Sequence, residues 1–159
     1  MTPAIKLLDR SGVTYTLHPY EHDPNHRSYG VEAAEKLGIS PDVVFKTLVV
    51  TTDTGQLTAA VVPVSRQVNL KWLATHCQSK KLVMAAAADV ERASGYVLGG
   101  VSPLGLKRCL PMVIDTCAQA LDRVTISAGK RGLDLSLSPA DLIRLTGAQV
   151  AEISTPPSA

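Results

Sequence analysis

The chain has 159 residues, 45% of them hydrophobic and 19% charged, with a formal net charge of +2. That length suits one domain with a full core, and no apolar stretch approaches the roughly 20 residues of a membrane-spanning helix. A charge of +2 is too small for nucleic-acid recognition by bulk electrostatics alone, and the 4% aromatic content leaves Val, Leu, Ile and Ala to build the core.

Thr2 as N-cap and Pro3 at the first helical position predict a helix ending near Gly12. The start, Met1 to Lys6, reads as a charged amphipathic helix without a signal-peptide apolar core, and the expected location is the cytoplasm. A short strand from Val13 to Leu17 is expected next, then a Pro-interrupted loop from His18 to Arg27. Ser28 caps a helix to about Leu37, stopped by Gly38. Residues Val43 to Val50 read as a strand. Asp53 to Gln56 form a hairpin turn, and Leu57 to Val64 the partner strand. Asn69 caps a helix through Trp72 to His76; Lys81 to Met84 reads as a strand and Ala87 to Ser94 as a helix closed by Gly95. Beyond a Gly99–Gly105 loop, a strand is expected from Arg108 to Asp115. Val124 to Ala128 and Leu133 to Leu137 pair around a Gly129–Gly132 turn. Ser138-Pro139 starts a helix that ends at Gly147, and Gln149 to Ile153 forms a last strand. The expected architecture is one α+β domain over residues 1–154, a mixed, mostly antiparallel and barrel-like sheet with peripheral helices, and a disordered tail at 155–159.

Lys46 falls inside the most strand-like apolar run of the chain. A cation there is strongly disfavoured unless its head reaches water or an anion meets it, so the residue reads either as a snorkelling edge lysine or as part of an anion or carbonyl site. Two Gly-rich segments, Gly99 to Gly105 and Ser127 to Asp134, favour the second reading if their backbone N–H groups face a ligand; each read singly is an ordinary tight connection. The doublets Lys80-Lys81, Lys107-Arg108 and Lys130-Arg131 read as solvated charge or as a modest phosphate-binding rim.

Several chemistries are excluded. Gly100, Ser102 and Gly105 resemble a nucleophile elbow, but the residue after the serine is Pro103, which has no N–H for an oxyanion. His22 and His26 are separated by Pro24 and lack further ligands, so no metal is expected. Gly129-Lys130 lacks the remainder of a phosphate loop. Cys77, Cys109 and Cys117 form no paired motif and read as small buried hydrophobes.

Taken together, Val44 to Val50, Gly99 to Gly105 with the following Lys107 to Asp115, and Ser127 to Pro139 resemble the bacterial YbaK family over nearly the whole chain, from Thr2 to about Ile153. That family consists of free-standing aminoacyl-tRNA deacylases acting on Cys-tRNA(Pro); its superfamily includes the editing domain of prolyl-tRNA synthetase and relatives acting on Ala-tRNA(Pro). The resemblance implies the editing-domain fold and an essential lysine at Lys46. It also implies a pocket for the aminoacyl-adenosine end of mischarged tRNA(Pro) lined by Tyr20, Tyr29, Thr47, Gly100, Ser127 and Asp134. Gly99, Val101 and Ser102 join the expected pocket from the Gly loop, and Lys107, Arg108, Lys130 and Arg131 are the expected tRNA-phosphate contacts. Prolyl-tRNA synthetase is the implied partner; no cofactor, metal, membrane or DNA is expected.

The expected chemistry needs no protein nucleophile. A cysteinyl ester carries its own thiol, which attacks the carbonyl of the same group by proximity, while N–H groups of the Gly99–Gly105 loop hold the oxyanion and Lys46 holds the carbonyl or the terminal phosphate. An Ala-specific deacylase using a bound water, and a non-catalytic aminoacyl- or nucleotide-binding module docking on a synthetase, are the alternatives.

Overall fold

The computed structural model describes residues 1–26 and 28–156; the loop position Arg27 and the tail residues 157–159 lie outside the described residues. Helix α1 (Pro3–Ser11) starts as expected. The Thr2 hydroxyl accepts the Ile5 N–H at 3.2 Å and Gly12 closes the helix in the left-handed region, so Ala4, Ile5 and Leu8 turn inward. Strand β1 (Thr16–Pro19) and helix α2 (Tyr29–Leu37) follow. The hairpin β2 (Phe45–Thr51) and β3 (Leu57–Pro63) comes next, then β4 (Gln67–Val68), α3 (Leu70–His76), β5 (Val83–Met84) and α4 (Ala87–Ser94). The chain continues through β6 (Met112–Asp115), a short 3-10 turn at Thr116–Ala120, β7 (Val124–Lys130), β8 (Leu133–Leu137), α5 (Pro139–Thr146), β9 (Gln149–Ala151) and β10 (Ser154–Thr155).

A five-stranded sheet has the order β5-β2-β3-β6-β9, antiparallel among β5, β2 and β3 and parallel from β3 to β9. Its central strand β3 buries both faces: Ala59 and Val61 enter one core with α1, β7 and β8, while Ala60 and Val62 enter another with α3. A separate antiparallel sheet has the order β1-β8-β7. The two sheets meet at an isolated parallel bridge, Val44 to Thr125, so they do not close into a barrel. This is a single mixed α+β domain.

Several boundaries differ from expectation. The first strand runs from Thr16 to Pro19 rather than from Val13 to Leu17, and the strand expected at Lys81 shortens to Val83–Met84. The strand expected from Arg108 begins only at Met112, because the Lys107 and Arg108 N–H groups bond the Ser94 and Ala93 carbonyls at the end of α4 and Pro111 has no N–H. Ser28 occupies the N-cap of α2 without a side-chain hydrogen bond. The tail does not begin at Thr155: β10 pairs with β4, and Ile153 and Ser154 are buried. The buried Asp115 carboxylate accepts Ile153 N–H and Ser154 Oγ–H, both at 2.9 Å, and Arg66 donates to Ser154. The cysteines are not buried hydrophobes: Cys109 is exposed and Cys77 and Cys117 are partly so.

Candidate functional site

A cavity of about 450 Å³ opens along β2, within the size range of small-molecule sites. It exists because β2 is paired on one side only over part of its length. Val64 N–H bonds the Val44 carbonyl at 2.8 Å, which in this register makes Val44–Val64 and Lys46–Val62 the hydrogen-bonded pairs with β3. The alternation of an antiparallel ladder then turns the N–H and C=O of Thr47 toward the opposite edge. There β5 pairs only with Val50 and Thr51, and β7 pairs only through the isolated bridge at Val44. Among the described residues, the edge at Thr47 therefore has no strand partner and fronts the cavity.

Lys46 lines this opening, half-buried, and burial lowers its pKa from the usual 10.5. It takes part in no ion pair among the described residues, so the desolvation of its charge is not offset within the chain. Asp134, 6% exposed, lines the same cavity, and its carboxyl is pushed up to about 7 by burial. Its position follows from the alternation of β8: Leu133, Leu135 and Leu137 face the main core, so Asp134 and Ser136 face the other way. Ser127 is the cross-strand partner of Asp134, and its hydroxyl accepts the Gly129 N–H at 3.1 Å.

Tyr20 and Tyr29, both half-buried, also line the cavity. Burial raises the Tyr20 phenol, and the Asp134 charge adds to the effect. Arg131 lies across Tyr29, its guanidinium carbon 4.8 Å from the ring centroid, and its Nε donates to the Leu98 carbonyl at 2.8 Å. Val90 and Val101 give the floor its apolar character.

The structure thus brings Tyr20, Tyr29, Lys46, Thr47, Gly99, Val101, Ser127 and Asp134 to one cavity. It does not bring the whole Gly loop there. Ser102 is fully buried, its hydroxyl accepting the Leu104 N–H at 3.3 Å, and the Gly100 N–H is taken by the Val97 carbonyl at 2.9 Å. Of this loop, Gly99 and Val101 line the cavity, while Gly100 packs against the β7–β8 turn. A Cβ at Gly100 would come within 2.8 Å of the Lys130 Cα, and one at Gly99, which has φ +85°, within 2.8 Å of the Tyr29 ring and the Arg131 Nε. Lys107 and Arg108 also lie elsewhere; Arg108 borders a separate polar hollow with Asp89 and Cys109. Lys130 is exposed beside Arg131 in the β7–β8 turn.

Residues the sequence did not single out include Ser28, Met84, Ala85, Val90 and Leu98, which reach the cavity from four separate segments, and the fully buried Glu32. The apolar ones carry no local signal that separates a cavity wall from core. Among the described residues there is no cluster of three or more His, Cys, Asp or Glu suited to a metal, and no helix is long and apolar enough to cross a membrane.

The family model for aminoacyl-tRNA editing domains matches residues 23–145. A protein of Enterococcus faecalis, EbsC, described as a candidate Cys-tRNA(Pro)/Cys-tRNA(Cys) deacylase, is 35% identical over 154 residues, covering 97% of this chain and 93% of the relative. Part of a proline–tRNA ligase of Moorella thermoacetica is 33% identical over 99 residues, 62% of this chain and 17% of the ligase. The crystal structure of the hypothetical protein APE2540 superposes with a TM-score of 0.86 at 28% identity, covering 96% of this chain and 99% of that one.

Proposed function

The chain belongs to the aminoacyl-tRNA editing domain family, and on that premise we propose that it is a trans-editing deacylase that cleaves the aminoacyl ester of Cys-tRNA(Pro). The observation that carries the reading is a cavity combining a half-buried lysine, without an ion-pair partner among the described residues, and a carboxyl titrating at about 7. Among the described residues no cysteine borders the cavity, and none of its serine and threonine hydroxyls (Ser28, Thr47 and Ser127) is hydrogen-bonded to a histidine or a carboxylate.

The substrate's own thiol then performs the attack. Its sulfur forms a bond to the carbonyl carbon of the same aminoacyl group, and the carbon–oxygen bond to the ribose breaks, leaving a cyclic thioester and free tRNA. The thiol proton passes to the Asp134 carboxylate, whose pKa near 7 suits it to accept and return a proton at neutral pH, and the leaving ribose oxygen takes up a proton. Lys46 supplies positive charge to the carbonyl oxygen or the terminal phosphate, and the Thr47 N–H on the unpaired edge is a further donor to the oxyanion. Folding the substrate so that sulfur and carbonyl meet supplies much of the acceleration. Arg131, fixed over Tyr29, keeps guanidinium N–H groups beyond its bond to Leu98 for a backbone phosphate.

The likeness to part of a proline–tRNA ligase supports prolyl-tRNA synthetase as the partner from which mischarged tRNA is received, in the cytoplasm where translation takes place. The test is single-turnover deacylation of tRNA(Pro) charged with cysteine, alanine or proline. Fast release of cysteine alone is expected. Equal rates for cysteine and alanine would replace the thiol by a bound water, and binding without turnover would reduce the protein to a recognition module.

A further inference from the structure

Glu32 has no solvent exposure and takes no part in the chemistry above. It sits in α2, three residues after Tyr29. Its Oε1 lies 2.7 Å from His22 Nδ1, its Oε2 accepts the Asp23 N–H at 2.7 Å, and Lys36 Nζ stands 3.5 Å from the same oxygen. Lys36, one turn further along the helix, also donates to the Glu21 carbonyl. Three consecutive residues, Glu21, His22 and Asp23, are thereby fastened to α2. Burial pushes the Glu32 carboxyl up, but the His22 and Asp23 hydrogen bonds and the nearby His22 and Lys36 charges outweigh it and hold the group below its usual value, so it is an anion at neutral pH.

The same segment is held from its other end. Tyr20 N–H donates to the Gly132 carbonyl at 2.9 Å, and a Cβ at Gly132 would come within 2.9 Å of the Tyr20 carbonyl oxygen. Tyr20 and Tyr29 are the two tyrosines that line the cavity, and the His22 ring lies 5.8 Å from the Tyr29 ring, centroid to centroid. The segment carrying Tyr20 and the helix turn carrying Tyr29 are therefore joined through one buried carboxylate. An apolar contact would hold the loop without the desolvation penalty but would leave it free to slide; directed bonds to a single anion fix its register.

We propose that Glu32 is a positioning residue: through His22, Asp23 and Lys36 it sets the spacing of Tyr20 and Tyr29, and with it the affinity of the cavity for the substrate end. The inference rests on the deacylase reading and goes beyond it in assigning a role to a group that touches no substrate. Misplacement of the two tyrosines by a fraction of an ångström weakens binding, while the cleavage step at Lys46 and Asp134 is left in place.

The experiment compares steady-state deacylation of Cys-tRNA(Pro) by the wild-type protein, Glu32→Gln, His22→Ala, His22→Asn and His76→Ala. Glu32→Gln keeps the volume but removes the anion, and the His22 side chain is partly exposed, so its loss leaves the fold standing. Glu32→Gln and His22→Ala should raise KM by about tenfold with kcat little changed, and His22→Asn, whose amide can still donate to Glu32, should recover part of the loss. His76→Ala, in α3 and hydrogen-bonded to Gln149 rather than to any cavity residue, should leave KM unmoved. A fall in kcat at constant KM, or the same KM rise in His76→Ala, would overturn the assignment. Amide exchange supplies a readout independent of turnover. The Tyr20 N–H, which Glu32 does not touch, should exchange about tenfold faster in Glu32→Gln; unchanged exchange would refute positioning. Absence of turnover in the wild-type protein would refute the deacylase reading instead.

Discussion

Replacing Asp134 by Asn removes a carboxyl that burial has forced up to about 7 from an ordinary 3.8. Between those two values the folded protein holds a proton that the unfolded chain has released. The stability this contributes is complete below 3.8 and is lost as pH rises through 7, after which the curve is flat. The gap of about three pH units corresponds to about 4 kcal/mol in all, and about 3 kcal/mol of it falls above pH 5. Asn has no such titration. The wild-type protein should therefore lose about 3 kcal/mol relative to Asp134→Asn between pH 5 and pH 8.5. Urea unfolding at four pH values across that range, with the slope constant, measures it directly. In deacylation the variant should be slow and should lack the rise in kcat near neutrality that a proton-accepting carboxylate produces. Parallel stability curves for the two proteins would show that Asp134 titrates as an ordinary surface carboxylate, and both its burial and its role in the reaction would fall.

Lys46→Met should lose deacylation by about 10²-fold or more yet be more stable at neutral pH, since it removes a charge whose desolvation is not offset. Because the native lysine titrates below 10.5, that advantage should shrink as pH rises toward 10.5, where the folded lysine is already neutral while the unfolded one still holds protons; unfolding midpoints at pH 7 and pH 10.5 test it. Arg131→Ala should weaken binding of tRNA(Pro) and lower the slope of log affinity against log salt by about one phosphate contact. The pair Lys107→Ala and Arg108→Ala should leave both unchanged, because these residues lie away from the cavity. Filter binding at several salt concentrations distinguishes the cases. Replacing Cys77, Cys109 and Cys117 together by Ser should leave single-turnover deacylation largely intact, whereas charging the tRNA with serine in place of cysteine should slow it severely, since a hydroxyl is a far weaker nucleophile at neutral pH. Loss of activity in the triple variant would make the nucleophile the protein's.

The local elements of this protein were legible because their causes are local. Thr2, Pro3 and Gly12 delimit α1, and Asp53 to Gln56 joins β2 to β3. Ala86 and Gly95 bound a helix at the expected residues, and the alternation of Leu133 to Leu137 already separates a core face from the face bearing Asp134. Lys46 stood out for the same reason, as a charge inside a run whose neighbours must be buried. What the neighbours along the chain do not carry is which distant segments meet. The Gly99–Gly105 loop has the composition of a ligand cradle, yet the approach of Lys130 and Tyr29 is what excludes side chains at Gly100 and Gly99. Glu32 reads as an ordinary helical surface residue until the Glu21–Asp23 segment folds over it. The short strands β4 and β10 exist only because Gln67 and Thr155 are brought side by side. Backbone preference is set by a residue and its immediate neighbours, whereas burial, and with it the pKa of Asp134 and the uncompensated charge of Lys46, depends on contacts that only the folded chain makes.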